Sequence, residues 1–267
     1  MSTTPPVSYT IDGDGIHLDI ALVEIDALLF HEETISGSLD ALQEEIEGSG
    51  ILKSPVIVGR ASLVVLDGTH RVEALRNLGC RFMCVCLVDY MSPGIRVDRW
   101  CRVVSSPIVI EEFSSRFVDL GVIAGARGSL GEGAKLLMVE EGYYEMVTHG
   151  EGIVSAFTSV ASIESWLRQK GHSLRYETER DAVKMLERRE VGFVLCPPAI
   201  EKHQILESVK SGRVFPSKAT RHILPARPFG VDVPLELLRD DVISVEEANR
   251  RLSMMLEAKS LRRVPPD

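Results

Sequence analysis

LVVLDGTHRVEALRNLG, residues 63–79, is the stretch whose reading decides the fold of this chain. An apolar, β-type run from Leu63 to Leu66 stops at Asp67-Gly68. The polar Thr69, His70 and Arg71 then open a helix whose Val72, Leu75 and Leu78 recur at helical spacing, and Gly79 ends it. Gly68 lets the backbone approach a ligand closely, and the free amides and dipole of a new helix favour an anion. His70 and Arg71 add donors at the same end, so the expected visitor is a phosphate or a carboxylate. The plainer reading is an ordinary strand-to-helix turn, with Asp67 capping the helix and Arg71 on the surface.

Working outward, the first hundred residues read as a compact α/β unit. A strand near 16–20 leads to Val23-Glu24-Ile25, and an amphipathic helix over 38–47 carries Leu39, Leu42 and Ile46 on one face. Gly48-Ser49-Gly50 ends that helix. Strands are expected over 55–58 and 63–66, joined by Gly59-Arg60-Ala61, and again over 82–88. The region 89–107, of mixed polarity and containing Trp100, is the candidate boundary between two domains, 1–105 and 106–267. Beyond it we expect a helix over 111–120, a hairpin of 135–139 with 143–147, and a long helix over 154–170. A strand over 174–177, a helix over 180–189, a strand over 191–196 and a helix over 199–211 follow. The last helix starts at Ser244, where Ser-Val-Glu-Glu fits a capping box with Glu247.

The 267 residues are 45% hydrophobic and 26% charged, ordinary globular composition with ample material for a core. A formal net charge of −9 weighs against a protein that coats nucleic acid in general. No apolar run is long enough to span a bilayer, and the polar start MSTTPPVSYTIDGDG has no basic region of a signal peptide. Cys80, Cys84, Cys86, Cys101 and Cys196 form no CxxC pair, and no histidine clusters with them at ligand spacing. They read as buried, reduced thiols of a cytosolic protein.

Further polar clusters stand at the edges of apolar elements. His31-Glu32-Glu33 follows the run 27–30, and a carboxylate at the end of a buried strand suits a general base; otherwise both glutamates are solvated residues before a helix. The segment GRVFPSKATRH, residues 212–222, gathers cationic groups and two hydroxyls in one loop, which suits an anionic ligand or simply solvent. Residues 125–133, GARGSLGEG, lack the Gly-Lys-Ser/Thr ending of a phosphate loop and read as a surface loop. Trp100 either stacks on a ligand or plugs a seam between domains.

With these clusters in place, Val23–Asp26, His31-Glu32, Leu42, Ile46, Ser49–Ile51, Pro55–Val58, Asp67–Arg71, Leu75 and Leu78-Gly79 together resemble the ParB/sulfiredoxin superfamily over roughly the first hundred residues. The segment 212–225, continuing to Val231-Asp-Val-Pro-Leu-Glu236, is similar to the free L-serine kinases, some ADP-dependent and some ATP-dependent. The resemblance implies a ParB/sulfiredoxin-like nucleotide-binding domain, a second α/β domain and an active-site cleft between them. It assigns Glu32 as the catalytic carboxylate, with His70 and Arg71 as catalytic partners that hold the donor phosphates. It places nucleotide at Gly50, Ile51, Asp67, Gly68, Thr69, His70 and Arg71, and the amino acid at Trp100, Ser217, Thr220, Arg221 and His222. Mg²⁺ is implied without identifiable ligands. Thr69 stands where the family has the first histidine of the turn, keeping a hydroxyl donor but losing a cationic group.

The implied reaction is phosphoryl transfer from ATP or ADP to the hydroxyl of free L-serine, a chemistry of alignment and charge neutralisation. A rival reading is a ParB-like, nucleotide-dependent DNA-binding regulator. The basic residues nearest to a recognition helix are those of 154–170 and Arg250, Arg251, Arg262 and Arg263. Sulfiredoxin-like rescue of oxidised cysteine needs a nucleophilic cysteine where this chain has Thr69, which disfavours it.

Overall fold

The computed structural model describes residues 6–13, 16–34, 39–117, 121–125, 134–138, 142–147, 152–259 and 261–264. The chain divides into two compact units, one of Met1–Arg96 with His222–Asp267 and one of Val97–Arg221.

The first unit opens with β1 (Tyr9–Gly13) and β2 (Ile16–Glu24), followed by α1 (Leu39–Ser49), β3 (Ile51–Leu52), β4 (Val56–Gly59) and β5 (Val65–Asp67). Then come α2 (Thr69–Asn77) and β6 (Phe82–Val88). Five strands make one sheet in the order β1-β2-β6-β4-β5, in which only β4 and β6 run parallel. Strand β6, FMCVCLV, is buried along almost its whole length, which is why its sequence is a continuous apolar run instead of an alternation. Cys84 and Cys86 sit inside it, and all five cysteines are free and buried. Burial, helped by the nearby Asp19 charge and opposed by Arg60, pushes the Cys86 thiol up to about 12, so these sulfurs behave as small apolar side chains.

The second unit begins in β7 (Arg96–Arg99) and β8 (Cys101–Val104), continues through α3 (Ile110–Arg116), β9 (Gly121–Gly125), β10 (Ala134–Met138), β11 (Gly142–Val147) and α4 (Ile153–Gln169), and then β12 (Leu174–Glu177) and α5 (Glu179–Glu187). It closes with β13 (Phe193–Cys196), α6 (Lys202–Lys210) and β14 (Thr220–Ile223), whose last residues belong to the first unit. Six strands form an antiparallel sheet, β12-β8-β13-β10-β11-β9. The two-residue period of a strand sorts its side chains between two layers. Val104, Phe193 and Leu195 pack with Val160, Ile163 and Leu167 of α4, whereas Cys101, Val103, Val194 and Cys196 pack with Ala182 and Leu186 of α5.

The chain then returns to the first unit as β15 (Arg227–Phe229), β16 (Val233–Pro234), α7 (Leu235–Arg239), α8 (Val245–Glu257) and β17 (Arg262–Val264). Strand β16 pairs with β3, and β15 with β17. Asn249 on α8 works as one residue of a missing strand. Its side-chain oxygen accepts the Leu22 N–H at 2.8 Å and its amide donates to the Leu22 carbonyl at 2.8 Å, beyond the stretch of β2 that β1 covers. Ser244 caps α8 by accepting the Glu247 N–H at 3.3 Å, as its spacing predicts.

Three expectations change. A cut at 105/106 would leave the last 46 residues with the wrong partner, because 222–267 complete the first unit. The boundary expected within 89–107 does fall there, at Arg96/Val97, and the residues after it form β8 inside the second sheet. The apolar run 27–30 is not a strand; a 3-10 turn, Ile25–Ala27, leads to a single bridge of Leu29 to Val64. Thr220–Ile223, read as loop, is a strand. The glycine-rich residues 126–133 lie outside the described residues.

Candidate active site

The turn at 67–71 has the predicted build. Gly68 stands at the N-terminal boundary of α2 with φ +99°, a conformation that costs an L-residue energy and glycine almost none. Asp67 does not cap the helix. Its carboxylate instead accepts from Arg71 at 2.9 Å and from Arg227, which arrives from β15, 160 residues along the chain. Arg71 also donates to the carbonyls of Ser54 at 3.0 Å and Pro55 at 2.7 Å. Burial, followed by the nearby Arg227 charge, pulls the Arg71 pKa down while Asp67 pulls it up. One carboxylate faces two guanidinium groups, so the cluster carries one formal positive charge beside the start of a helix.

This cluster forms one wall of a cavity of about 420 Å³ within the first unit. Ile46, Ile51, Ile57 and Phe229 supply much of its apolar lining. Of the residues expected to meet nucleotide, Ile51, Asp67 and Arg71 line the cavity. Gly50, Gly68, Thr69 and His70 are not in its lining; Gly50 ends α1 with φ +69° and its carbonyl accepts the Leu235 N–H at 2.9 Å. Arg227 was not legible in the sequence, since no local pattern marks a lone arginine that far from its carboxylate.

A second cluster of the same unit surrounds Glu32. His31 is buried and its Nδ1 lies 2.9 Å from the Val65 carbonyl. A carbonyl only accepts, so Nδ1 carries the proton, and in the neutral ring Nε2 keeps its lone pair. That nitrogen lies 3.6 Å from a Glu32 carboxylate oxygen. Burial lowers the His31 pKa more than Glu32 and Val65 raise it, which favours the neutral ring. The His222 ring meets His31 edge-on at 5.1 Å, and its Nε2 shares a hydrogen bond of 3.0 Å with the Tyr90 hydroxyl. Burial pushes the Tyr90 pKa up and keeps that phenol protonated. Tyr90 carries no motif, and only its contact with His222 marks it.

The other expected residues belong to the second unit. The Arg221 guanidinium lies 5.5 Å from the centre of the Trp100 ring, and buried Arg102 holds the Trp100 carbonyl at 2.6 Å. Arg102 is itself neutralised by Glu164, to which Tyr176 donates at 2.8 Å. Thr220 is buried and Ser217 half-buried. Among the described residues no group of three or more His, Cys, Asp or Glu could hold a metal ion, and no helix is long and apolar enough to cross a membrane.

No protein-family model matches the chain. An ATP-dependent L-serine kinase of Staphylothermus marinus is 28% identical over 84% of this chain and 92% of its own length. The ADP-dependent L-serine kinase SerK of Thermococcus kodakarensis is 28% identical over 83% and 93%. A solved free serine kinase in complex with AMP superimposes with a TM-score of 0.69 at 25% identity, covering 83% of this chain and 94% of that one. In sequence and in fold alike, this chain is similar to free L-serine kinases.

Proposed function

We propose that this protein transfers the terminal phosphoryl group of ATP or ADP to the side-chain hydroxyl of free L-serine, giving O-phospho-L-serine. The observation that carries the reading is the positively charged Asp67–Arg71–Arg227 cluster at the start of α2, forming one wall of a nucleotide-sized cavity. Relatives that use ATP or ADP, and one held with AMP, support the nucleotide.

In this reading the amides of Gly68 and Thr69, with His70 and Arg71, receive the donor phosphates, while Gly50 and Ile51 border the nucleoside. Serine Oγ attacks the terminal phosphorus, the bond from that phosphorus to the leaving nucleotide breaks, and the hydroxyl proton passes to Glu32. The lone pair of His31 beside Glu32 gives that proton a second acceptor 3.6 Å away. His222, held by Tyr90, and the second-unit residues Trp100, Ser217, Thr220 and Arg221 are assigned to the amino acid. A Mg²⁺ ion would here be held mainly by nucleotide phosphates and water, where it would neutralise charge on the phosphate oxygens. We place the protein in the cytoplasm, where nucleotide, free serine and reduced thiols coexist.

The test is phosphorus NMR of the protein with each hydroxyl amino acid and ATP or ADP. We expect O-phosphoserine to accumulate with wild type, and Glu32→Gln to abolish turnover while nucleotide still binds. Absence of a phospho-amino acid with every pair, or wild-type turnover by Glu32→Gln, refutes the reaction or the base respectively.

A further inference from the structure

Phe229 is 59% exposed, an unusual position for a phenylalanine, yet it lines the cavity. It is not on a loose end. Its strand, β15, is paired to β17 with Phe229 opposite Arg262 and Arg227 opposite Val264. Two residues earlier on the same strand, Arg227 is fixed to Asp67. Residues i and i+2 of a strand project to one side, about 6.8 Å apart. That spacing is comparable to the reach of a ribose between its 5′-phosphate and its base. Arg227 thus brings the cavity wall a cationic group and Phe229 an aromatic face, in a lining that also holds the apolar Ile46 and Ile51.

We infer that Phe229 is the stacking platform for the nucleobase of the donor nucleotide, and that it favours purines. This rests on the nucleotide reading above and adds to it a residue that sets base preference. The flat ring presents a π-face to any base, and the larger face of a purine gains more from it than a pyrimidine does. The exposed ring is covered only when a nucleotide is bound. A ligand with phosphates but no base gains nothing from it.

The test is calorimetric binding of ADP, UDP and inorganic pyrophosphate to wild type, Phe229→Ala and Phe229→Trp. An exposed side chain is removed, so the alanine variant keeps its fold, checked by its melting temperature. We expect Phe229→Ala to bind ADP about tenfold more weakly or worse. It should lose less for UDP and nothing for pyrophosphate, and Phe229→Trp should restore ADP binding. If wild type binds ADP and Phe229→Ala binds it equally well, or if pyrophosphate weakens in parallel, the stacking role is overturned while the nucleotide site stands. If wild type binds none of the three, both fall.

Discussion

Replacing Gly68 by alanine tests the turn on which the site is built. Alanine at φ +99° costs about 1–2 kcal/mol of backbone strain. Its Cβ would stand 2.6 Å from Val56 Cγ1 and 2.7 Å from Arg71 Nη2. Val56 is fully buried in β4 and has no space to yield, so overpacking adds about 1–3 kcal/mol. Reduced freedom of the unfolded chain returns about 0.4–1 kcal/mol. The expected net loss is about 1–5 kcal/mol, with Arg71 displaced from Ser54, Pro55 and Asp67 and nucleotide affinity lowered as well. Gly79→Ala is the control, since Gly79 also has positive φ but a Cβ there meets nothing within 4 Å. It should lose only the strain. Both tryptophans, Trp100 and Trp166, lie in the second unit, so tryptophan fluorescence would miss the effect. Urea unfolding should be followed by hydrogen exchange of residues 82–88. A loss below about 0.5 kcal/mol with unchanged ADP affinity, or equal losses for the two glycines, would refute the reasoning.

Asn249→Ala should destabilise the first unit by about 2–4 kcal/mol, because it leaves both the N–H and the carbonyl of Leu22 without the side-chain partner they have now. Chemical unfolding monitored over β2 checks this, and a change within 0.5 kcal/mol contradicts it. His31 gives a signed pH dependence. Its folded pKa lies below 6.5, so the unfolded chain takes up the proton first as pH falls. Stability present above about pH 6.5 should therefore decline as pH drops toward the folded pKa, and His31→Gln should flatten that decline. Urea midpoints between pH 7.5 and 5 decide it; parallel slopes for the two proteins would sink the assignment.

The parts of this fold written in local pattern were legible in the sequence. The Gly68 turn, the continuous apolar run of β6 and the Ser244 cap each need only neighbours within a few residues. The run 27–30 was misread because four consecutive apolar residues carry no period that separates a strand from a packed turn. Trp100 and mixed polarity suggested a domain boundary over 89–107, and the units do divide at Arg96/Val97, but nothing local showed that Arg102 is buried and neutralised by Glu164, far along the chain. Arg227, Tyr90 and Asn249 were invisible for the same reason. Each acquires its role from a partner more than a hundred residues away. The residues named from family likeness divide between the two units, a division at Arg221/His222 that no composition change announces.

The return of 222–267 to the first unit has a consequence for synthesis. A ribosome releases the whole of 97–221 before the strands and helices that complete the first unit emerge, a delay of roughly ten seconds at about 5–20 residues per second. Through that interval Leu22 lacks Asn249, and Asp67 has Arg71 but not Arg227. The second unit is free to settle first, while the half-made first unit keeps an open sheet edge. The Asp67–Arg71–Arg227 cluster is therefore a late product of translation: nascent chains carry the motif at 67–71 long before they carry the cavity around it.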